Sequence, residues 1–240
     1  MKGKFYGIGV GPGDPELLTY KAVRILQEVD CVAVPVTVKD KESTAHKIAR
    51  RFISHEAVLL EIDFPMTRDR ACLEEAWQRA RGVVQEKLDR GQDTAFLTLG
   101  DPMLYSTYIY LYYHLEQAGY AVTTVPGITS FSAAAASAGV PLAFGDERVA
   151  LLPGAAAQEL TAAELSAFDT LVLFKVARCY KCILELLEAG GRLGGSVLVM
   201  SCGHPEEKII TDLKAVSGDE LSYFSLIISR KEPVLECQNH

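Results

Sequence analysis

Through the first 126 residues, short apolar runs alternate with helix-length amphipathic segments. A chain written this way is best satisfied by strands laid parallel, with helices crossing over between them. The strand candidates are residues 5–10, 31–34, 58–62, 94–99 and 121–125. Between them, residues 15–28 set Leu17, Leu18, Ala22, Ile25 and Leu26 on one helical face, with Asp14 placed to cap the free amides. Ser43 stands before a second helix at 46–53. Residues 70–90 form a long amphipathic helix closing near Gly91, and 106–118 close at Gly119, the residue best suited to a left-handed stop. Residues 1–126 are therefore expected to fold as one α/β domain, five parallel strands with helices on both faces.

After Val125-Pro126-Gly127 the texture changes. A small-residue helix at 129–138 stops at Gly139 and Pro141, and strands follow at 148–152, 170–174, 196–200, 208–211 and 223–228. Only two more helices fit, at 161–167 and 178–189. The short connection between 196–200 and 208–211 favours an antiparallel pair, so residues 127–240 are expected to form a second α/β domain on a mixed sheet.

Composition narrows what such a pair of domains does. The chain has 240 residues, 49% of them hydrophobic, so a full core is available. The most apolar stretch, 131–144, is broken by Ser132, Ser137, Gly139 and Pro141 and falls short of a membrane span. Residues 5–10 are too short for the apolar region of a signal peptide, and the expected location is the cytoplasm. Six cysteines without an export signal read as reduced thiols. Net charge is −7, from 24 basic and 31 acidic residues, with no basic stripe for nucleic acid. An anionic substrate then needs a local basic pocket.

Three segments carry the candidate chemistry. Gly7-Ile8-Gly9-Val10-Gly11-Pro12-Gly13-Asp14-Pro15 leaves the first strand where a dinucleotide fingerprint would stand, but its spacing fails: the sixth position from Gly7 is Pro12 and from Gly9 is Asp14. The plain alternative is a tight turn. Gly100-Asp101-Pro102-Met103-Leu104-Tyr105 leaves the fourth strand, with Gly100 open to close approach and Asp101 offering a carboxylate to hydroxyls or an ammonium. Val125-Pro126-Gly127-Ile128-Thr129-Ser130 leaves the fifth, with two hydroxyls at a helix start. All three lie on the carboxyl edge, where open α/β sheets bind ligands.

Together Gly9-x-Gly-Pro-Gly-Asp-Pro-Glu-Leu-Leu-Thr19, Gly100-Asp-Pro-x-x-Tyr105 and Val125-Pro-Gly-Ile-Thr-Ser130 closely resemble the tetrapyrrole (corrin/porphyrin) methylases of the cobalamin and sirohaem pathways. Residues 100–108 and 126–136 look most like the members that methylate C-20 of precorrin-2 or cobalt-factor II. The resemblance implies S-adenosylmethionine as methyl donor, leaving as S-adenosylhomocysteine, held in a cleft between the two domains of a homodimer. Carried over by position, its contacts would be Pro12, Gly100, Asp101, Met103, Thr129 and Ser130, then Lys175 and the Ser201-Cys202 segment. Lys175 departs from the related uroporphyrinogen methylases, which have an uncharged residue there. Binding the acidic tetrapyrrole would fall to Arg148, Arg178 and Lys181 in the second domain and to Arg68 and Arg70 in the first. Nothing in the sequence singles out the base that removes the meso proton; Asp101, Tyr105 and Asp14 are neighbours of the site.

Other constellations compete. Cys179-x-x-Cys182 with Cys202 and His204 has the ligand types of a zinc site, against buried or inert thiols as the ordinary reading, and no protein-bound metal is expected. Tyr105, Tyr108, Tyr110, Tyr112 and Tyr113 suggest a stacking platform but on a helix point all round. Two rival functions share the fold expectation: a diphthine synthase-like methylation of a protein side chain, and a nucleotide-binding regulator without turnover.

Overall fold

A computed structural model describes residues 1–36, 43–65, 67 and 69–232. The chain divides into two compact units, Met1–Thr129 and Ser130–His240. In the first, strands β1 (Phe5–Gly9), β2 (Cys31–Val36), β3 (Val58–Asp63), β4 (Thr94–Thr98) and β5 (Val122–Val125) form one sheet in the order β3-β2-β4-β1-β5. Every pairing is parallel. The period-2 alternation of strand side chains divides the core in two. Ile8, Val10, Val32, Val34, Ala95, Leu97 and Val125 pack on one face under helices α1 (Tyr20–Glu28) and α2 (Thr44–Ala49). Phe5, Ala33, Ile62 and Phe96 pack on the other under α3 (Arg70–Asp89) and α4 (Tyr108–Gln117).

This order carries a functional consequence. The chain leaves β1 leftward to β2 and leaves β4 rightward to β5, so these adjacent strands send their connections to opposite faces. Their carboxyl ends mark the switch point at which such sheets bind ligands.

Three local expectations are corrected. The helix expected over 15–28 is broken: Asp14 caps only a 3-10 turn, Pro15–Leu17, accepting from Glu16 N at 2.8 Å. Thr19 is extended (φ −68°, ψ 146°) and caps α1 itself, accepting from Ala22 N at 3.2 Å. The hydroxyl offers the backbone a local bond that competes with continuing the helix. Ser43 makes no side-chain cap bond. β2 runs through Pro35 to Val36, beyond the expected end at Val34, because β4 pairs only as far as Ala33 and the missing N–H of Pro35 breaks no bond to it.

The second unit is built on a mixed sheet of β6 (Val149–Pro153), β7 (Thr170–Phe174), β8 (Ser196–Met200), β9 (Lys208–Ile210) and β10 (Ser225–Arg230), ordered β6-β7-β10-β8-β9. Only β6 and β7 are paired in parallel; β7–β10, β10–β8 and β8–β9 are antiparallel. Helix α5 (Ser130–Ala138) covers one face through Ala134 and Ala135 against Val197, Val199, Leu226 and Ile228. The other face packs under α6 (Gly154–Ala157), α7 (Ala162–Ser166) and α8 (Tyr180–Ala189). The single turn α6 was not expected. β10 lies two residues later than the expected 223–228, since Ser229 and Arg230 are polar yet buried. Arg192 Nε donates to Ser229 Oγ at 3.3 Å, and Arg230 pairs with Glu147, partners remote in sequence. Among the described residues no helix is long and apolar enough to cross a membrane.

Candidate functional site

At the carboxyl edge of the first sheet, the loops after β1, β4 and β5 meet backbone to backbone. Gly11 and Gly100 form an isolated antiparallel bridge, Gly100 N donating to Gly11 O at 2.8 Å and Gly11 N to Gly100 O at 3.3 Å. Both lie in the left-handed region, φ +78° and +68°. Gly9 and Gly127 are glycines for another reason: a Cβ at Gly9 would stand 2.5 Å from Gly127 N, and one at Gly127 would stand 2.1 Å from Gly100 O. A Cβ on Gly100, by contrast, would meet nothing nearer than Ile128 O at 4.0 Å. The main chain at Gly100 therefore opens on free space, and a ligand can lie directly on it.

Asp101 locks this arrangement. Its Oδ1 accepts from Met103 N at 2.9 Å and its Oδ2 from Gly127 N at 3.0 Å, tying the loop after β4 to the loop after β5. Both carboxylate oxygens thus serve backbone amides, which makes Asp101 a strut of the site more than a free base. Asp101→Ala leaves both amides without their acceptor and is expected to lower stability by about 2 kcal/mol. A urea midpoint equal to that of the parent chain would contradict this role.

Behind the loops lies a layer the sequence did not announce. Tyr108 is fully buried, its ring so close to β1 that a Cβ on Gly7 would stand 2.2 Å from it. Its hydroxyl bonds Thr124 Oγ1 at 2.7 Å, and burial pushes the phenol up to about 12. Thr98 Oγ1 and Ser106 Oγ meet at 2.6 Å, and Ser106 also accepts from Tyr108 N. The available signal was Gly7, a glycine inside a strand, which marks a close approach by another group. Of the remaining tyrosines, Tyr110 stacks on Trp77 with ring centroids 4.0 Å apart, and Tyr105 and Tyr113 are exposed.

In the second unit, β7 and β8 each run antiparallel to β10, so β6, β7 and β8 end on a common edge. Lys175 follows β7 with φ +58° and Ser201 follows β8 with φ +51°. With Tyr105 (φ +53°) these are the non-glycine residues of positive φ among the described residues. L-residues pay roughly 1–3 kcal/mol for such a conformation and hold it only where surrounding bonds over-determine it, commonly at functional sites. All three fall on positions marked in the sequence.

The remaining candidates separate. Pro12 is buried beside Gly11, Met103 is half exposed, Ser130 opens α5 and Cys202 is buried. Asp14 is committed to its 3-10 turn. Arg178 and Lys181 line an open cavity of about 380 Å³ with Cys182, Tyr180 and Asp219, on the connection that leaves the Lys175 edge. Arg148 stands at the opposite edge, beside the start of β7, its N–H bonded to Asp169. Five residues of strand, about 17 Å, separate it from Lys175. Arg70 is exposed at the start of α3 and ion-paired with Glu74 at 3.6 Å. Arg68, Cys237 and His240 lie outside the described residues. Cys179 is buried and packs where a Cβ of Gly154 would reach its Sγ at 2.6 Å, while Cys182 is exposed. Among the described residues no group of three or more His, Cys, Asp or Glu side chains is placed to hold a metal.

Comparison with known proteins decides what this edge belongs to. The model of the Tetrapyrrole (Corrin/Porphyrin) Methylases matches residues 4–216. The chain belongs to this family. It is accordingly a methyltransferase that uses S-adenosylmethionine. The cobalt-precorrin-2 C(20)-methyltransferase of Salmonella typhimurium is 34% identical over 97% of this chain and 98% of its own. The precorrin-2 C(20)-methyltransferase of a Sinorhizobium species is 31% identical over 94% of each. Among solved structures, a cobalt precorrin-4 methyltransferase shares the fold at TM-score 0.74 and 24% identity, covering 96% of both chains. A uroporphyrin-III C-methyltransferase from Thermus thermophilus, complexed with S-adenosylhomocysteine, shares it at TM-score 0.63 and 23% identity, covering 95% of this chain and 97% of its own.

Proposed function

We propose that this methylase transfers a methyl group to C-20 of precorrin-2 or of cobalt-factor II in cobalamin biosynthesis, working as a cytoplasmic homodimer. The observation that carries the reading is near-end-to-end similarity, at 34% identity, to a relative named for that reaction. The residues we assign to S-adenosylmethionine are Pro12, Gly100, Asp101, Met103 and Thr129 in the first unit and Ser130, Lys175, Ser201 and Cys202 in the second.

S-Adenosylmethionine supplies a methyl already activated on a sulfonium sulfur, and a reduced tetrapyrrole supplies a nucleophilic meso carbon. The protein's task is then alignment in a water-poor setting, because charge on sulfur disperses as the methyl leaves. Rigid glycine-packed loops suit that task. A catalytic base is not assigned: the two candidate carboxylates, Asp101 and Asp14, are already engaged by backbone amides.

Labelled S-adenosylmethionine with precorrin-2 or its cobalt complex, followed by carbon NMR, tests the regiochemistry. A new methyl at C-20 is expected; one on any other carbon refutes it. We assign the substrate carboxylates to Arg178 and Lys181, which share a cavity, and not to Arg148. Exposed charge pairs contribute up to about 1 kcal/mol each, so R178E/K181E is expected to raise the tetrapyrrole KM about tenfold. Binding of S-adenosylhomocysteine should stay within twofold, and an unchanged KM removes the assignment.

A further inference from the structure

The turn after β8 is strained at Ser201 (φ +51°) and passes through a second left-handed residue, Gly203 (φ +77°). Backbone bonds hold part of it: Ser201 N donates to Phe224 O at 3.0 Å and His204 N to Ser201 O at 3.0 Å. Ser201 Oγ also meets Ser222 Oγ at 3.4 Å, and further support comes from one carboxylate. Glu207 Oε2 accepts from Gly203 N at 2.6 Å, its Oε1 accepts from Ser137 Oγ, and the Cys202 thiol donates to the same group. Ser137 lies in the last turn of α5, the helix opened by Ser130. Glu207 thus ties the turn carrying Ser201 and Cys202 to the helix carrying Ser130, entirely within the second unit.

We propose that Glu207 is a positioning residue for the cofactor site, holding Ser201 and Cys202 in register with α5; the assignment rests on the cofactor reading given above. Burial opposes charge on this carboxyl, yet the donors from Ser137, Gly203 and Cys202 outweigh it and leave the group below the usual glutamate range. The Cys202 thiol is pushed up to about 12, by burial first and Glu207 second, so it stays a neutral donor. An ionised acceptor facing several donors is the strong form of such a clamp. Nothing in the sequence marks it, since Glu207 follows Cys202-Gly-His-Pro-Glu as one of two adjacent glutamates.

The test uses the full chain, with S-adenosylhomocysteine titrated by calorimetry and steady-state rates measured against S-adenosylmethionine. E207A is expected to raise the dissociation constant and the cofactor KM about tenfold while kcat changes less than threefold. E207Q keeps a carbonyl acceptor for Gly203 N and should recover most of the affinity, as a purely structural defect would not. Hydrogen exchange at residues 201–204 should speed up in ligand-free E207A. If E207A does not fold, S137V decides, with an expected rise in dissociation constant of at least threefold. Parent-like affinity in whichever variant decides overturns the assignment alone. A parent chain that fails to take up S-adenosylhomocysteine overturns the cofactor reading, and this assignment with it.

Discussion

Gly127→Ala is expected to abolish measurable S-adenosylhomocysteine binding and to lower stability by roughly 3 kcal/mol. The added methyl would stand 2.1 Å from Gly100 O and 2.8 Å from both the carbonyl carbon and the Cα of Gly9, all of them backbone atoms. None is free to retreat. Gly100 is held to Gly11 by two backbone bonds, and Gly127 N is held by Asp101. Relief can come only by parting the loops after β1, β4 and β5, and with them the open stretch of main chain at Gly100. Gly119→Ala is the control: its Cβ would meet no atom within 4 Å, although its φ of +76° carries a conformational cost of its own. It should therefore destabilise modestly and leave binding intact. Calorimetry and thermal melts on the two variants separate clash from strain, and normal binding by Gly127→Ala would show that the three loops do not make the site.

The second large effect is expected in the second unit. Arg230 is buried, with its side chain 2% exposed, and its Nη2 donates to both carboxylate oxygens of Glu147 at 2.8 and 2.9 Å. Its Nη1 reaches Pro141 O at 3.1 Å and Thr170 Oγ1 at 3.2 Å, and the guanidinium lies 5.0 Å from the ring centre of Phe144. One side chain thereby fastens the segment between α5 and β6 onto the sheet. Breaking a buried pair from one side strands the other charge, so Arg230→Met should cost about 4 kcal/mol, a fall of roughly 10 °C in Tm. Adding Glu147→Leu should recover part of the loss, because replacing both partners with apolar groups removes the stranded charge.

The same pair sets a pH dependence. The bond from Arg230 holds the Glu147 carboxyl below its ordinary value, against the opposing push of burial. A carboxyl depressed in the folded state adds stability above its unfolded pKa of about 4.5, and that stability is lost as pH falls through the folded value. Acid unfolding between about pH 5 and 3 should therefore be shallower in Arg230→Met than in the parent. Parallel acid transitions would rule the pair out as a contributor.

Much of the molecule was legible in one dimension. The five parallel strands of the first unit and the mixed sheet of the second follow from the alternation of apolar runs, helix patterns and short connections, since strand and helix periods are local properties of the chain. The three loops that carry the family motifs were legible too. Element ends were less so. Thr19 ends a 3-10 turn by capping the next helix, and Pro35 continues a strand because of where a neighbour stops pairing. The basic residues were the least legible. Arg178 and Lys181 share a cavity, while Arg148 sits across the sheet from it, because a cation's position along the chain says nothing about which edge its strand presents.

By itself, then, the sequence determined fold class and family, and it marked the loops that carry the family motifs, all of which depend on local pattern and on motifs contiguous in the chain. Tertiary structure alone decided what those residues do. Gly100 and Gly11 are glycines for their dihedral angles, whereas Gly9 and Gly127 are glycines because two backbones pass too close for a methyl group. Asp101 became a strut between loops, Tyr108 a buried wall over Gly7, and Glu207 a clamp between a turn and a helix. Each of these roles is a contact between residues distant in the chain, and beyond a strand glycine such as Gly7 a single sequence does not name the partner, because folding, not sequence neighbourhood, brings the partners together.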